Sequence, residues 1–239
     1  MSVDKKTYFK ALRLHTNLTG KVAATSYHVL LPSAFFIGDS IVRELASRYK
    51  AVSPSSRVLY LNNACPTNLT VGLFDKRVQA FFASQPKERG PPGVTFVGGN
   101  ALHALRRDYV PDPENGIKAD HLRRIWPILY ELSKLASHQR VAYVGSMPVD
   151  AAIMLMTPHP PHMQKFFDFS LLDMWADMDE EMARNLSVPI FDTRVLAHEC
   201  PGVRCDGMHF ASHFPDNACC ASGHLWDRLL LDFACKHLR

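Results

Sequence analysis

The residues best suited to chemistry in this 239-residue chain are one serine near its start and an aspartate and a histidine near its end. Ser40 follows a short apolar run at 34–37 and a Gly-Asp turn, whereas Asp206 and His209 are separated by two residues. A serine nucleophile requires a histidine base within hydrogen-bond reach and a carboxylate that orients this base. The spacing of Asp206 and His209 lets one short loop carry both groups. We therefore predict a Ser-His-Asp triad.

The sequence around Ser40 predicts that a buried strand passes directly into a helix. The apolar run ends at Gly38 and Asp39, and an amphipathic helical pattern begins at Ile41. Ser40 is therefore expected at the N-terminus of a helix, where the helix dipole and unpaired backbone N–H groups stabilise developing negative charge. The alternative interpretation is that Asp39 or Ser40 serves only as the helix cap.

A third candidate residue is Asn100, which follows the apolar run at 93–97 and the pair Gly98-Gly99. An asparagine amide at the carboxyl end of a strand can donate a hydrogen bond to an oxyanion, as can the backbone N–H of Ser40. A Gly-Gly-Asn turn that is present only because glycine tolerates positive φ is the alternative.

Together these motifs resemble the SGNH (GDSL-like) hydrolase superfamily, particularly its PC-esterase and carbohydrate O-acetylesterase branches. The resemblance extends from about Ser33 to the C-terminus. Residues 38–40 are similar to the family block that carries the nucleophile, with Gly38 and Asp39 as supporting residues. Residues 98–100 are similar to the block that carries the oxyanion asparagine, and residues 206–209 to the block that completes the triad.

The resemblance implies a serine esterase without a cofactor or a metal. Ser40 would be the nucleophile, His209 the general base and Asp206 the residue that orients the imidazole. The backbone N–H of Ser40 and the amide of Asn100 would form the oxyanion hole. The expected substrate is a small-molecule or carbohydrate ester, with acetyl as the expected acyl group.

Two departures from the family pattern leave other functions open. The third block usually continues with aspartate, where this chain has Ala101. The second block supplies a glycine N–H to the oxyanion hole, and its candidate here is Gly72, although the surrounding residues match poorly. A catalytically degenerate binding protein with the same fold is one alternative. An O-acetyltransferase that uses the same triad is another.

Strands and helices are predicted to alternate along the chain, which indicates a parallel sheet with helices on both faces. We predict an α/β fold with three α/β/α layers and a five-stranded flavodoxin-like sheet, in the order 2-1-3-4-5 that the resemblance implies. Residues 31–239 are expected to form a single domain, and residues 1–30 an N-terminal extension packed on it. A long helix is predicted from about Asp120, with Asp120 as its N-cap.

The composition is that of an ordinary globular protein, with 47% hydrophobic and 21% charged residues. No apolar run reaches the roughly 18–20 residues that a membrane-spanning helix needs, so no membrane span is expected. The formal net charge is only +4 and the basic residues are scattered, so no nucleic-acid partner is expected. The oligomeric state is left open.

The signals for cellular location disagree. Six cysteines and three sequons, at Asn17, Asn68 and Asn185, are compatible with a secretory or extracellular protein. The segment after Met1 nevertheless lacks the apolar core of a signal peptide, so the location stays open.

A zinc site is the main rival to the triad. Cys200, Cys205, His209 and His213 are ligand types that zinc accepts, and such a site would recruit the proposed base. However, the gap between the cysteine and histidine pairs is far shorter than the roughly 12 residues of a zinc finger. A zinc site would also not explain why the Gly-Asp-Ser and Gly-Gly-Asn motifs follow predicted strands. We therefore predict no metal.

Overall fold

The computed structural model describes residues 30–62, 75–84, 93–98, 116–136, 139–145, 169–194 and 223–238. The strands in this part of the chain are β1 (Ala34–Gly38), β2 (Val58–Asn62), β3 (Val94–Gly98), β4 (Arg140–Val144) and β5 (Ile190–Phe191). The helices are α1 (Ser40–Val52), α2 (Lys76–Ala83), α3 (Gly116–Ala136), α4 (Phe169–Asn185) and α5 (Gly223–His237). Of the predicted N-terminal extension at 1–30, only Leu30 lies within these ranges.

The five strands form one parallel sheet in the order β2-β1-β3-β4-β5. In the registers of β1, Gly38 pairs with Asn62 of β2 and with Gly98 of β3. Gly98 in turn pairs with Val144 of β4, so four strands end at the same edge of the sheet. The predicted strand order is confirmed.

Helices cover both faces of the sheet because the strand side chains alternate between the faces. Phe36 and Phe96 belong to a core shared with α1 and α5. Phe35 and Val97 belong to a second core shared with α2, α3 and α4. These two cores make the three-layer α/β/α architecture that the sequence predicts.

Aromatic packing holds the first and third strands together beneath α1. The rings of Phe36 and Phe96 stack with their centroids 4.8 Å apart, and Tyr49 of α1 meets both rings edge-on. All three side chains are buried, and burying a large apolar side chain contributes about 1.5–3 kcal/mol. The strand that precedes Ser40 is therefore firmly fixed.

The start of the long helix differs from the prediction. Helix α3 begins at Gly116, so Asp120 lies one turn inside the helix and the prediction of Asp120 as its N-cap is wrong. Nothing in the residues just before Asp120 stops a helix, and the first turn therefore extends upstream. The helix also contains Pro127, and it packs through Ile128 and Leu132 against the sheet. Within the described ranges, no helix has the length and apolar character needed to cross a bilayer.

Candidate active site

Ser40 is the first residue of α1 and follows the last residue of β1 by two positions. The preceding residue, Asp39, is the helix cap, because its carboxylate accepts the backbone N–H groups of Ile41 at 3.0 Å and Val42 at 3.4 Å. Asp39 is buried, whereas Ser40 is only partly buried. Of the two candidate capping residues, Asp39 is therefore the N-cap of α1. Ser40 lies at the helix N-terminus and at the carboxyl edge of the sheet.

The two motif glycines allow the strands to approach closely beside Ser40. A Cβ atom on Gly38 would lie 2.2 Å from the carbonyl oxygen of Gly98 and 2.4 Å from Cγ2 of Val42. Gly98 has φ of +145°, and a Cβ atom there would lie 2.2 Å from the carbonyl oxygen of Val144. No residue with a side chain fits at either position without moving backbone atoms. This contact is why glycines occupy both motifs.

Tyr60 of β2 reaches across to the turn that carries Ser40. Its hydroxyl lies 2.9 Å from the carbonyl oxygen of Asp39 and 3.0 Å from that of Gly38. Burial, together with the nearby charge of Asp39, raises the pKa of Tyr60 to about 12, so the hydroxyl is a proton donor at neutral pH. Tyr60 is not among the residues that the sequence motifs predicted for the site. The signal that could have indicated Tyr60 is its hydroxyl near the carboxyl end of a strand that neighbours β1.

A buried polar cluster lies between α3 and α4, beside β4. His121 and Asp179 form a contact of 2.7 Å between Nε2 and Oδ1, and the ring of Trp175 stacks on His121 with centroids 4.6 Å apart. The hydroxyl of Tyr143 lies 3.4 Å from the other carboxylate oxygen of Asp179. The Tyr143 ring also lies next to Gly98, within 3.1 Å of where its Cβ would be. The cluster therefore supports the sheet behind Gly98.

An ion-pair cluster fixes the chain where it leaves β5. Arg194 pairs with Asp192 at 3.1 Å, with Asp177 at 2.5 Å and also with Glu180 of α4. The carboxylates of Asp192 and Glu180 raise the pKa of Arg194. The segment that leads to the predicted Asp-x-x-His block begins at the next residue. These ion pairs tie the end of the described segment at Arg194 to α4.

Four of the predicted site residues lie outside the described residues. They are Gly72, Asn100, Asp206 and His209. The ligands of the alternative zinc site also lie outside. Of the predicted residues, the structure places Gly38, Asp39, Ser40 and Gly98 together at one edge of the sheet. The triad and the oxyanion hole stay predictions.

No protein-family model and no curated protein matches this sequence. Among solved structures, the chain is similar to a proposed acylhydrolase from Bacteroides fragilis, with a TM-score of 0.56, 13% identity and 100% of each chain covered. It is also similar to Axe2, an acetylxylan esterase from Geobacillus stearothermophilus, with a TM-score of 0.50 and 11% identity. That match covers 87% of this chain and 96% of Axe2. This chain therefore shares the fold of these two structures, and the strand order of its sheet is the one that the family resemblance implies.

Proposed function

We propose that this protein is a serine esterase that hydrolyses small O-acyl esters, with acetyl esters of carbohydrates as the expected substrates. The observation that carries the proposal is the position of Ser40, at the first residue of α1 and at the carboxyl edge of a parallel sheet. Ligands and active sites in open α/β sheets occupy this edge. The acetylxylan esterase that shares the fold supports the choice of acyl group.

In the first half of the proposed reaction, the Oγ atom of Ser40 attacks the carbonyl carbon of the ester. A C–O bond forms, the carbonyl electrons move to its oxygen, and the serine proton passes to His209, which Asp206 orients. When the oxyanion collapses, the bond to the leaving alcohol breaks and His209 gives its proton to that alcohol. The product of this half is an acyl-Ser40 ester.

In the second half, a water molecule replaces the alcohol. His209 takes a proton from the water as the water oxygen attacks the acyl carbon, and a second oxyanion forms. Its collapse breaks the bond to Ser40, whose oxygen recovers the proton from His209, and the carboxylic acid leaves. No metal or cofactor takes part in either half.

The proposed oxyanion donors are the backbone N–H of Ser40, the amide of Asn100 and the backbone N–H of Gly72. One such donor is worth about 10²–10³ in kcat. The Asp39 carboxylate engages the N–H groups of Ile41 and Val42, one and two residues beyond the proposed donor. Asp39 thereby holds the first turn of α1, which begins with Ser40 at the carboxyl edge of the sheet.

The decisive experiment replaces Ser40 with alanine and compares this variant with the same replacement of another serine on α1. Ser40→Ala should lower kcat on an aryl acetate by at least about 10³-fold and abolish labelling by a fluorophosphonate. Ser47→Ala is the matched control, since Ser47 is exposed on α1 and lies two turns away. This variant should keep both activity and labelling. Full activity in a folded Ser40→Ala protein would refute the proposal.

A series of esters from acetyl to octanoyl on one leaving group tests the substrate class. A steep fall beyond acetyl supports a small acyl pocket, and a rise toward octanoyl contradicts the acetyl assignment. Acetyl transfer to an added sugar in preference to water would identify the transferase alternative. A wild-type protein that neither turns over any ester nor reacts with the fluorophosphonate would identify the degenerate binding protein.

A further inference from the structure

The hydroxyl of Tyr60 binds the peptide group that contains the proposed oxyanion donor. A peptide group joins the carbonyl of one residue to the N–H of the next, so the carbonyl of Asp39 and the N–H of Ser40 belong to the same unit. Tyr60 lies 2.9 Å from that carbonyl oxygen. The hydroxyl therefore touches the opposite end of the dipole that would face the substrate.

We propose that Tyr60 is a positioning residue that strengthens the N–H of Ser40 as an oxyanion donor through its hydrogen bond to the carbonyl of Asp39. The inference rests on the proposed function, because it concerns the same oxyanion hole. Tyr60 itself touches neither the substrate nor the reacting atoms in this role.

The physical basis is the cooperativity of hydrogen bonds along a peptide group. A donor at the carbonyl oxygen draws electron density from the nitrogen and makes the N–H a better donor, and such cooperativity strengthens a hydrogen bond by about 10–30%. The carbonyl of Asp39 already accepts the backbone N–H of Arg43 at 3.0 Å, as the first intrahelical bond of α1. A carbonyl oxygen has two lone pairs, so Tyr60 fills the second.

The geometry also fixes the orientation of the turn. The same hydroxyl lies 3.0 Å from the carbonyl oxygen of Gly38 and 3.3 Å from Oδ1 of Asn62, so the two successive carbonyls are its nearest acceptors. Those two carbonyls define the peptide planes on either side of Asp39. Because Tyr60 projects from the neighbouring strand β2, it holds these planes relative to the sheet. The raised pKa keeps the hydroxyl protonated over the working range of a serine esterase.

The test compares two variants that each remove one phenolic hydroxyl from a carbonyl. Tyr60→Phe removes the hydrogen bonds to the carbonyl oxygens of Gly38 and Asp39, just before Ser40. Tyr49→Phe removes a bond of 2.7 Å to the carbonyl of Pro32, at the opposite end of β1 from Ser40, and is the matched control. Both variants keep the ring and its packing. Their activities are measured on an aryl acetate, well below both unfolding temperatures.

Tyr60→Phe should lower kcat about two- to eightfold with KM unchanged. This factor corresponds to about 10–30% of the free energy behind the roughly 10²–10³ in kcat that one oxyanion donor supplies. The affinity for an aryl boronic acid, whose tetrahedral adduct places an oxygen in the oxyanion hole, should fall by the same factor. Tyr49→Phe should change neither quantity. A Tyr60→Phe protein equal to Tyr49→Phe in kcat and boronate affinity would overturn the inference.

A second variant keeps the inference testable if Tyr60→Phe does not fold. Site-specific 3-fluorotyrosine at position 60 retains the ring and has a more acidic hydroxyl, so it should raise kcat at neutral pH. A lowered or unchanged kcat would contradict the role of Tyr60. Failure of the proposed function can be told apart from failure of this inference. If Ser40 is not the nucleophile, Ser40→Ala is as active as the wild type, with either tyrosine or phenylalanine at position 60.

Discussion

Gly38 and Gly98 are paired residues at the carboxyl ends of β1 and β3, and a Cβ atom on Gly38 would lie 2.2 Å from the carbonyl oxygen of Gly98. This close approach brings together the two motifs that were predicted to carry the nucleophile and the oxyanion asparagine. Each glycine therefore serves the close packing of the strand ends as well as its own turn.

Replacing either glycine with alanine should destabilise the protein. The added methyl group meets a backbone oxygen at both positions, and at Gly98 it must also adopt φ of +145°, which disfavours residues with a side chain. We expect a loss of about 1–3 kcal/mol or more for each variant. Denaturant unfolding followed by circular dichroism measures the loss.

Gly145→Ala is the control for these two variants. It lies just after β4, and its Cβ atom would meet Cδ1 of Ile190 at 3.2 Å, which is the movable end of a side chain. We expect a loss below about 1 kcal/mol, because a rotamer change relieves the contact. Equal losses at Gly38, Gly98 and Gly145 would contradict the argument from backbone contact.

Asp39→Ala should lower both stability and activity, because Asp39 caps α1 and holds the turn that precedes Ser40. Losing an N-cap costs about 0.5–2 kcal/mol. Asp39→Asn should keep most of the stability, since its amide oxygen can still accept the N–H groups of Ile41 and Val42. Unfolding curves and kcat on an aryl acetate test both variants.

The N-cap of α2 provides the control for Asp39. The carboxylate of Asp75 accepts the backbone N–H of Arg77 at 2.7 Å, on a helix other than the one that begins with Ser40. Asp75→Ala should therefore leave kcat unchanged. If Asp75→Ala and Asp39→Ala lowered kcat equally, the effect of Asp39 would be general destabilisation.

The sequence predicted the parts of the fold whose signals are local. The apolar runs at 34–37 and 93–97 each end at a glycine, and each forms a buried strand at the predicted place. The position of Ser40 was predictable for the same reason, because strand, turn and helix follow one another within a few residues. The strand order was not local information and came from the family resemblance.

The supporting residues were not predictable because their roles depend on contacts between distant segments. Tyr60 is 21 residues from the Asp39 carbonyl that it binds, and His121 is 58 residues from Asp179. Each looks like an ordinary strand or helix residue in the sequence. The prediction of Asp120 as the N-cap of α3 failed for a different reason: a favourable capping residue does not by itself set the start of a helix.

The buried contact between His121 and Asp179 should be a strong determinant of stability. Asp179→Ala leaves the imidazole of His121 buried without this carboxylate, which we expect to cost about 1–3 kcal/mol or more. Replacing both residues by leucine should restore part of the loss, because neither polar group then remains buried. A double-mutant cycle of His121→Ala, Asp179→Ala and the double alanine variant, measured by denaturant unfolding, gives the coupling between them. Additive losses would show that the contact contributes nothing of its own.

Tyr60 should make the stability fall at strongly alkaline pH. Burial is the main cause that raises its pKa from the ordinary 10.0 to about 12 in the folded protein. The folded state therefore holds this proton more tightly than the unfolded state. The resulting stabilisation is complete below about pH 10 and is lost as the pH rises through about 12. Tyr60→Phe should lose less stability than the wild type across this interval. The difference in phenolate absorbance between the two proteins should show a step near pH 12, and a step near pH 10 would contradict the burial of this hydroxyl.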